Sequence, residues 1–301
     1  MNNPDLNQNK ELNCQNNFIK LLSISLIFDK VSQFIDEDDI KCLSSCSKKL
    51  RLSYCKQIKK IKLCRRSNTP KDINKYANLI ELNLEGCKTI KDFSFISELD
   101  NLEVLNLRNT EISDISFLEK NKNLKKLNLS QECYSQSIED FSFISKLEKL
   151  EDLNLNGSQL SDISFLEKNI NIKILDLHKC KKIKNFSVLS KLKKIEDLNL
   201  NRTNISDISF LEENKNIIKL NIQYCDDIKD YSFVSKLEKL EDLDISNTPQ
   251  SDISFLAKNQ NIKKLNLKGE TLMNVKDYSF LSQLEKLEDL NLSVHLLMFW
   301  L

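Results

Sequence analysis

NLIELNLEGCKTIKDFSFISELD (residues 78–100) and NLEVLNLRNTEISDISFLEKNK (residues 101–122) are successive copies of one block, and their skeleton L-x-x-L-x-L decides the fold. It returns at Asn123, Lys149, Asn171, Lys194, Asn216, Lys239, Asn261 and Lys286. Self-similarity at this spacing marks a solenoid, in which each copy is one supersecondary unit stacked on the next. Within the block, Leu82 and Leu84 alternate with Glu81, Asn83 and Glu85, the period of two of a short half-buried strand. The leucines therefore face inward. After a polar turn comes an apolar segment in which a Phe recurs at one site: Phe95, Phe117, Phe143, Phe165, Phe210, Phe233, Phe255 and Phe280, with Val188 in the remaining copy. Stacking in register predicts a continuous spine of rings along the core. A short acidic or amide residue precedes that segment, from Asp92 and Asp114 through Asn185 to Asp277, where it can cap the free amides of a brief helical turn.

About eight inward side chains per block, at about 1.5 to 3 kcal/mol each, do not offset the ordering entropy of the block, so one copy cannot fold alone. Stability has to come from stacking. Ten strands at about 4.8 Å spacing give a slab on the order of 50 Å long. A second period overlies the first: copies of the type C-x-x-I-K-D-F-S-F-I-S alternate with copies of the type T-x-I-S-D-I-S-F-L-E-K-N, so the sequence unit is a pair. The array resembles the leucine-rich repeat family, nearest to its short class, and blocks such as ISDISFL are similar to those of bacterial internalins, which are surface proteins. The resemblance implies an α/β fold, a right-handed leucine-rich repeat solenoid with a curved parallel sheet on the concave side and short helical turns on the convex side.

Forty-five basic residues against 44 acidic ones leave no surplus to steer the chain toward nucleic acid or an anionic membrane, and neither is expected as a partner. Of nine cysteines, Cys87, Cys133, Cys180 and Cys225 share one site just after the strand in every second block, where the other blocks place Thr110, Ser158, Thr203 and Thr248. Such sites lie about 9 to 10 Å apart, beyond the roughly 7 Å reach of a disulfide. A buried, packing thiol is the expectation. Cys42 and Cys46 stand at helical spacing, but His178 and His295 are remote from them, so no metal site is expected. Reduced thiols suit a cytoplasmic or nuclear protein. The apolar stretch Phe18–Phe28 is interrupted by Lys20, follows Asp5 and Glu11, and lacks a small-residue cleavage site. The apolar tail His295–Leu301 is far below the ~20 residues of a membrane span and reads as a cap on the last block.

Nothing in the chain assembles a catalyst. A nucleophile needs a base within reach, and His178 stands alone on the predicted strand face beside Asp176 and Asp197. Gly86, Gly157 and Gly269 lie singly at strand ends and build no phosphate loop. No cofactor is expected, and the chain reads as non-enzymatic.

The region before the array differs in kind. Residues 1–17 are polar and Asn-rich, and residues 18–56 carry a helical pattern in Leu22, Leu26, Val31 and Phe34, then Ile40, Leu43, Cys46 and Leu50. VSQFIDEDDIKCLSSCSKKLR, from Val31 to Arg51, resembles the core of the F-box: Phe34-Ile35, Asp36 and Asp39, Ile40, Leu43-Ser44, Cys46-Ser47 and Lys48-Lys49-Leu50 follow its order. That resemblance implies docking of a Skp-type adaptor of a cullin ubiquitin ligase through Phe34, Ile35, Ile40, Leu43 and Leu50, with a protein substrate held by the repeats. The same helices also read as a plain cap that shields the first repeat. Residues 57–63 form a degenerate first repeat, so the solenoid runs from 57 to 293 and the apolar cap from 294 to 301.

Function then reduces to recognition by a chain expected to be monomeric outside its complexes. On the concave sheet, the site before the recurring Asn or Asp runs Lys126, Asp152, Ile174, Asp197, Lys219, Asp242, Lys264, Asp289, a charge alternation suited to weak pairing across strands. The site after it is irregular, Glu85, Arg108, Ser130, Asn156, His178, Asn201, Gln223, Ser246, Lys268 and Ser293, and the candidate contacts are Glu85, Arg108, Asn156, His178, Asn201, Gln223 and Lys268. Irregularity inside a regular array is where a partner-specific strip can sit, with Tyr224 adding to its edge.

Overall fold

The computed structural model describes residues 58–63, 76–132, 138–249, 252–269, 275 and 277–292. The helical module read at 18–56, with Phe34, Ile35, Ile40, Leu43 and Leu50, lies outside the described residues, as do segments 1–17 and 294–301 and Cys133. Eleven three-residue strands make one parallel sheet in chain order: β1 (Lys60–Lys62), β2 (Glu81–Asn83), β3 (Val104–Asn106), β4 (Lys126–Asn128), β5 (Asp152–Asn154), β6 (Ile174–Asp176), β7 (Asp197–Asn199), β8 (Lys219–Asn221), β9 (Asp242–Asp244), β10 (Lys264–Asn266) and β11 (Asp289–Asn291). The degenerate block supplies β1. Register is strict, with Leu82 opposite Leu105, Leu105 opposite Leu127, and so on to Leu265 opposite Leu290. Beyond each strand the ladder continues through bonds such as Leu129 N to Asn154 O at 2.9 Å and Leu155 N to Asp176 O at 2.9 Å.

Behind the sheet each rung from β2 to β10 returns through a five-residue helix, from Ser94–Glu98 to Ser279–Gln283. These helices are 3-10, and no α-helix occurs among the described residues, which corrects the α half of the expected class. Five residues between two tight turns are too few to close successive i→i+4 bonds, whereas i→i+3 bonds fit. The same geometry corrects the expected Phe spine. With three residues per turn, Ile90, Phe93, Ile96, Leu99 and Leu102 share the inner side of the return path, and all are buried. Phe95 falls between them and is only partly buried, as are Phe117, Phe143, Phe165, Phe210 and Phe255 at the equivalent place, while Phe233 and Phe280 there are buried. The continuous buried column is the residue after the Phe: Ile96, Leu118, Ile144, Leu166, Leu189, Leu211, Val234 and Leu256. Rings meet diagonally instead, as in Phe141 with Phe165 at 6.0 Å and Tyr231 with Phe255 at 6.2 Å between centroids.

The expected caps form. The Ser94 amide donates to Asp92 Oδ1 at 2.8 Å, that of Ser142 to Asp140 at 2.8 Å and that of Ser279 to Asp277 at 2.8 Å. A second polar device lies deeper. Every other rung places a buried Asn where its neighbours have Leu, and Asn169 Nδ2 donates to Ile144 O at 3.0 Å and Leu147 O at 2.9 Å of the preceding rung. Asn121, Asn214 and Asn259 do the same. Cys180 and Cys225 are buried, unlinked thiols whose Sγ each lie 3.1 Å from a carbonyl of the preceding rung, Leu155 O and Leu200 O, while Thr110 and Thr203 bond within their own rung. The sequence pair is therefore a structural pair: one rung type reaches back to the rung before through its Asn and the other through its Cys.

Candidate functional site: the outer sheet face and its edge

Side chains that do not enter the core stand in columns on the outer face of the sheet. The first column begins each strand. In it Lys126 reaches Asp152 at 3.3 Å and Lys219 reaches Asp197 at 3.8 Å, as the charge alternation anticipated. A more regular ladder lies one residue earlier, joining Lys125 to Glu103 at 2.9 Å, Lys173 to Glu151 at 2.8 Å and Lys263 to Glu241 at 2.7 Å. Both ladders are solvated and contribute at most about 1 kcal/mol per pair. Ile174 interrupts the first column as an exposed apolar side chain, 39% accessible.

The recurring Asn or Asp closes each strand from β2 to β11 as the second column. Its Oδ1 accepts the amide two residues on, as Asn83 from Glu85 N at 2.9 Å and Asp176 from His178 N at 2.9 Å. Side chains also bond along the column, Asn154 Nδ2 to Asp176 Oδ2 at 3.2 Å and Asn266 Nδ2 to Asp244 Oδ2 at 3.0 Å. Asp176 is held above the usual carboxylate range by burial, with the Asp197 and Asp152 charges adding to it. Asp197 is raised by burial too, and by Asp242 and Asp152 against the opposing pull of Lys219.

The irregular strip is the third column. Register aligns Glu85, Arg108, Asn156, His178, Asn201, Gln223 and Lys268 along one line, each two residues after its Asn or Asp. Several engage each other: Arg108 lies between Glu85, at 3.7 Å, and Glu132, and Asn201 Nδ2 donates to Gln223 Oε1 at 2.8 Å. Burial, followed by the nearby Lys179 and Arg202 charges, pulls the His178 imidazole below its ordinary pKa.

Next comes a feature that sequence reading missed. Gly86, Asn109, Gly157, Lys179, Arg202, Tyr224 and Asn247 all hold φ between 54° and 75°, the left-handed region, at the point where the chain leaves the sheet. Gly and Asn tolerate this conformation; other residues there cost about 1–3 kcal/mol each. Three adjacent rungs nevertheless carry Lys179, Arg202 and Tyr224, all exposed, and the Arg202 guanidinium stacks over the Tyr224 ring at 4.6 Å. The sequence signal was present in the Gly and Asn that fill the same column elsewhere.

The family described as Leucine Rich repeats (2 copies) matches residues 100–141. No curated protein matches the chain in sequence. Among solved structures, an internalin (InlF) of Listeria monocytogenes is 20% identical with a TM-score of 0.58, over 83% of this chain and 92% of that one. A leucine-rich repeat protein of Leptospira interrogans is 20% identical with a TM-score of 0.57, over 82% and 74%. The functional domain of InlJ from Listeria monocytogenes, described as including a cysteine ladder, is 17% identical with a TM-score of 0.60, over 80% and 55%. In-register strands, 3-10 returns and these likenesses agree: the chain folds as a leucine-rich repeat solenoid of the internalin-like kind.

Proposed function

We propose that the protein is a non-catalytic recognition protein that holds a protein partner against the outer face of its sheet. The observation that carries this reading is the contrast between columns. The Asn and Asp column repeats and serves its own backbone, whereas the column from Glu85 to Lys268 changes chemistry at nearly every rung. A side chain required only for stacking would repeat. The test is affinity capture from native lysate by the tagged full chain, compared with a variant carrying Asn156→Arg and Gln223→Arg. Partners retained by the parent and lost by the variant, with circular dichroism unchanged, support the reading; identical capture contradicts it.

The finer reading we propose is a substrate receptor of a cullin-type ubiquitin ligase in the cytoplasm or nucleus. Its support is the order Phe34-Ile35, Ile40, Leu43 and Leu50 ahead of a repeat array. Binding of a Skp-type adaptor to the full chain, lost on Ile35→Lys or Leu43→Lys, is the expected result. If the full chain retains no adaptor, a repeat scaffold without a ligase link replaces it. An internalin-like adhesin is the third reading, supported by the ISDISFL blocks and the fold likeness, and a cytosolic protein with an intact N-terminus contradicts it.

A further inference from the structure

We infer that the sheet edge at β6 to β8 binds an acidic segment of a partner protein, with Lys179, Arg202 and Tyr224 as its recognition residues. This rests on the protein-recognition reading and adds the chemistry of the partner.

Conformation is the first argument. Wherever else among the described residues the chain leaves the sheet through the left-handed region, it does so on Gly or Asn, at Gly86, Asn109, Gly157 and Asn247. Long side chains at three consecutive rungs are not needed by the turn, which other rungs make without them. Strain that persists without a folding role points to a role outside the fold. Uncompensated charge is the second argument. In the rung of β2, Lys91 pairs with Glu111 of the next rung. The equivalent positions at β6 and β7 are Lys184 and Asn204, so the acid is missing. Neither Lys179, Lys184 nor Arg202 forms an ion pair among the described residues. Organisation is the third: the Arg202 guanidinium lies over the Tyr224 ring at 4.6 Å, so two of the three side chains are already held together, and a guanidinium is the group that pairs with a carboxylate through two N–H donors.

Size selects the class of partner. The patch spans three rungs, about 10 Å at sheet spacing. Asp176 and Asp197 bound it on the sheet side, and Asp226 and Asp227 follow Tyr224 at the far end. That is room for a few carboxylates of a peptide. A nucleic-acid backbone needs a longer basic track.

The experiment is fluorescence anisotropy of the full chain with a labelled Glu-rich peptide, beside a Lys-rich peptide, a single-stranded oligonucleotide and inorganic phosphate. Saturable binding of the Glu-rich peptide alone is expected, weakened about tenfold by Lys179→Gly with Arg202→Gly. Arg202→Lys keeps the charge but loses the stacked plane, and should weaken binding by about threefold. Because glycine accepts positive φ, the double variant should keep or raise Tm. No binding by the parent, equal binding by the double variant, or preference for the oligonucleotide or phosphate overturns the proposal. So does a fall in Tm that accompanies lost binding, which marks these residues as structural. If the Glu-rich peptide fails while capture still depends on Asn156 and Gln223, this site falls and the recognition reading stands. Peptide binding with unchanged capture by the Asn156 and Gln223 variant does the reverse.

Discussion

Asn214 carries more of the stack than its size suggests. Its Nδ2 donates to Leu189 O at 3.0 Å and Leu192 O at 2.9 Å, in a site with no water access. Asn214→Ala removes the second donor of two buried carbonyls, which keep the backbone amides of Leu192 and Ile195, and should cost about 1–2 kcal/mol in urea unfolding, above the loss from the exposed cap change Asp207→Ala. Two sets of carboxylates respond oppositely to pH. The caps Asp162, Asp207 and Asp252 are held below their ordinary pKa by the serine hydroxyls and amides they accept from, so they stabilise the fold above the unfolded value and lose that contribution as pH falls through the folded one. Asp176 is raised, so its ionised form destabilises the fold at neutral pH. Asp176→Asn should therefore raise the urea midpoint at pH 7, with an advantage that shrinks in acid. Burial pushes the Cys180 thiol up to about 12, so alkylation mapped by mass spectrometry should leave Cys180 unmodified until the chain is denatured.

At the scale of the element, sequence reading and structure part at informative places. Alternation at Leu82 and Leu84 fixed strand and inward face, because a period of two has one physical reading. The return path was legible as a brief helical turn, but its buried side was not: Phe95 and Phe117 are the largest apolar residues there, while the buried run Ile90, Phe93, Ile96, Leu99, Leu102 keeps a period of three that belongs to a 3-10 path. The irregular strip was legible as a line of positions. The left-handed edge was not, because Lys179, Arg202 and Tyr224 do not announce their φ in their side chains. Gly157 shows how strict that edge is: a Cβ there would lie 2.0 Å from Gln131 O, in a backbone already at φ +75°. Gly157→Ala should lower stability by at least about 3 kcal/mol, read from the urea midpoint.

Over the whole molecule, stability is a sum over rungs and the joints between them. Alternation makes those joints directional, since Asn169 and Cys180 both reach back to the rung before. Removing residues 142–186, one complete pair, joins like to like and should leave a shorter array that unfolds cooperatively at a lower midpoint. Removing a single rung sets two rungs of one type side by side, and the thermal transition should broaden or split. The recognition surface scales with the same repeat, so its specificity resides in the few positions where the rungs differ.

Residue-resolved hydrogen exchange on the full chain tests the stacked, in-register array most directly. The amides of Leu107, Leu129, Leu155, Leu177 and Leu200, each bonded to the carbonyl of the following rung, should be protected to a similar degree and recur with the repeat. Protection confined to one stretch, with the equivalent amides of neighbouring repeats exchanging freely, would contradict it.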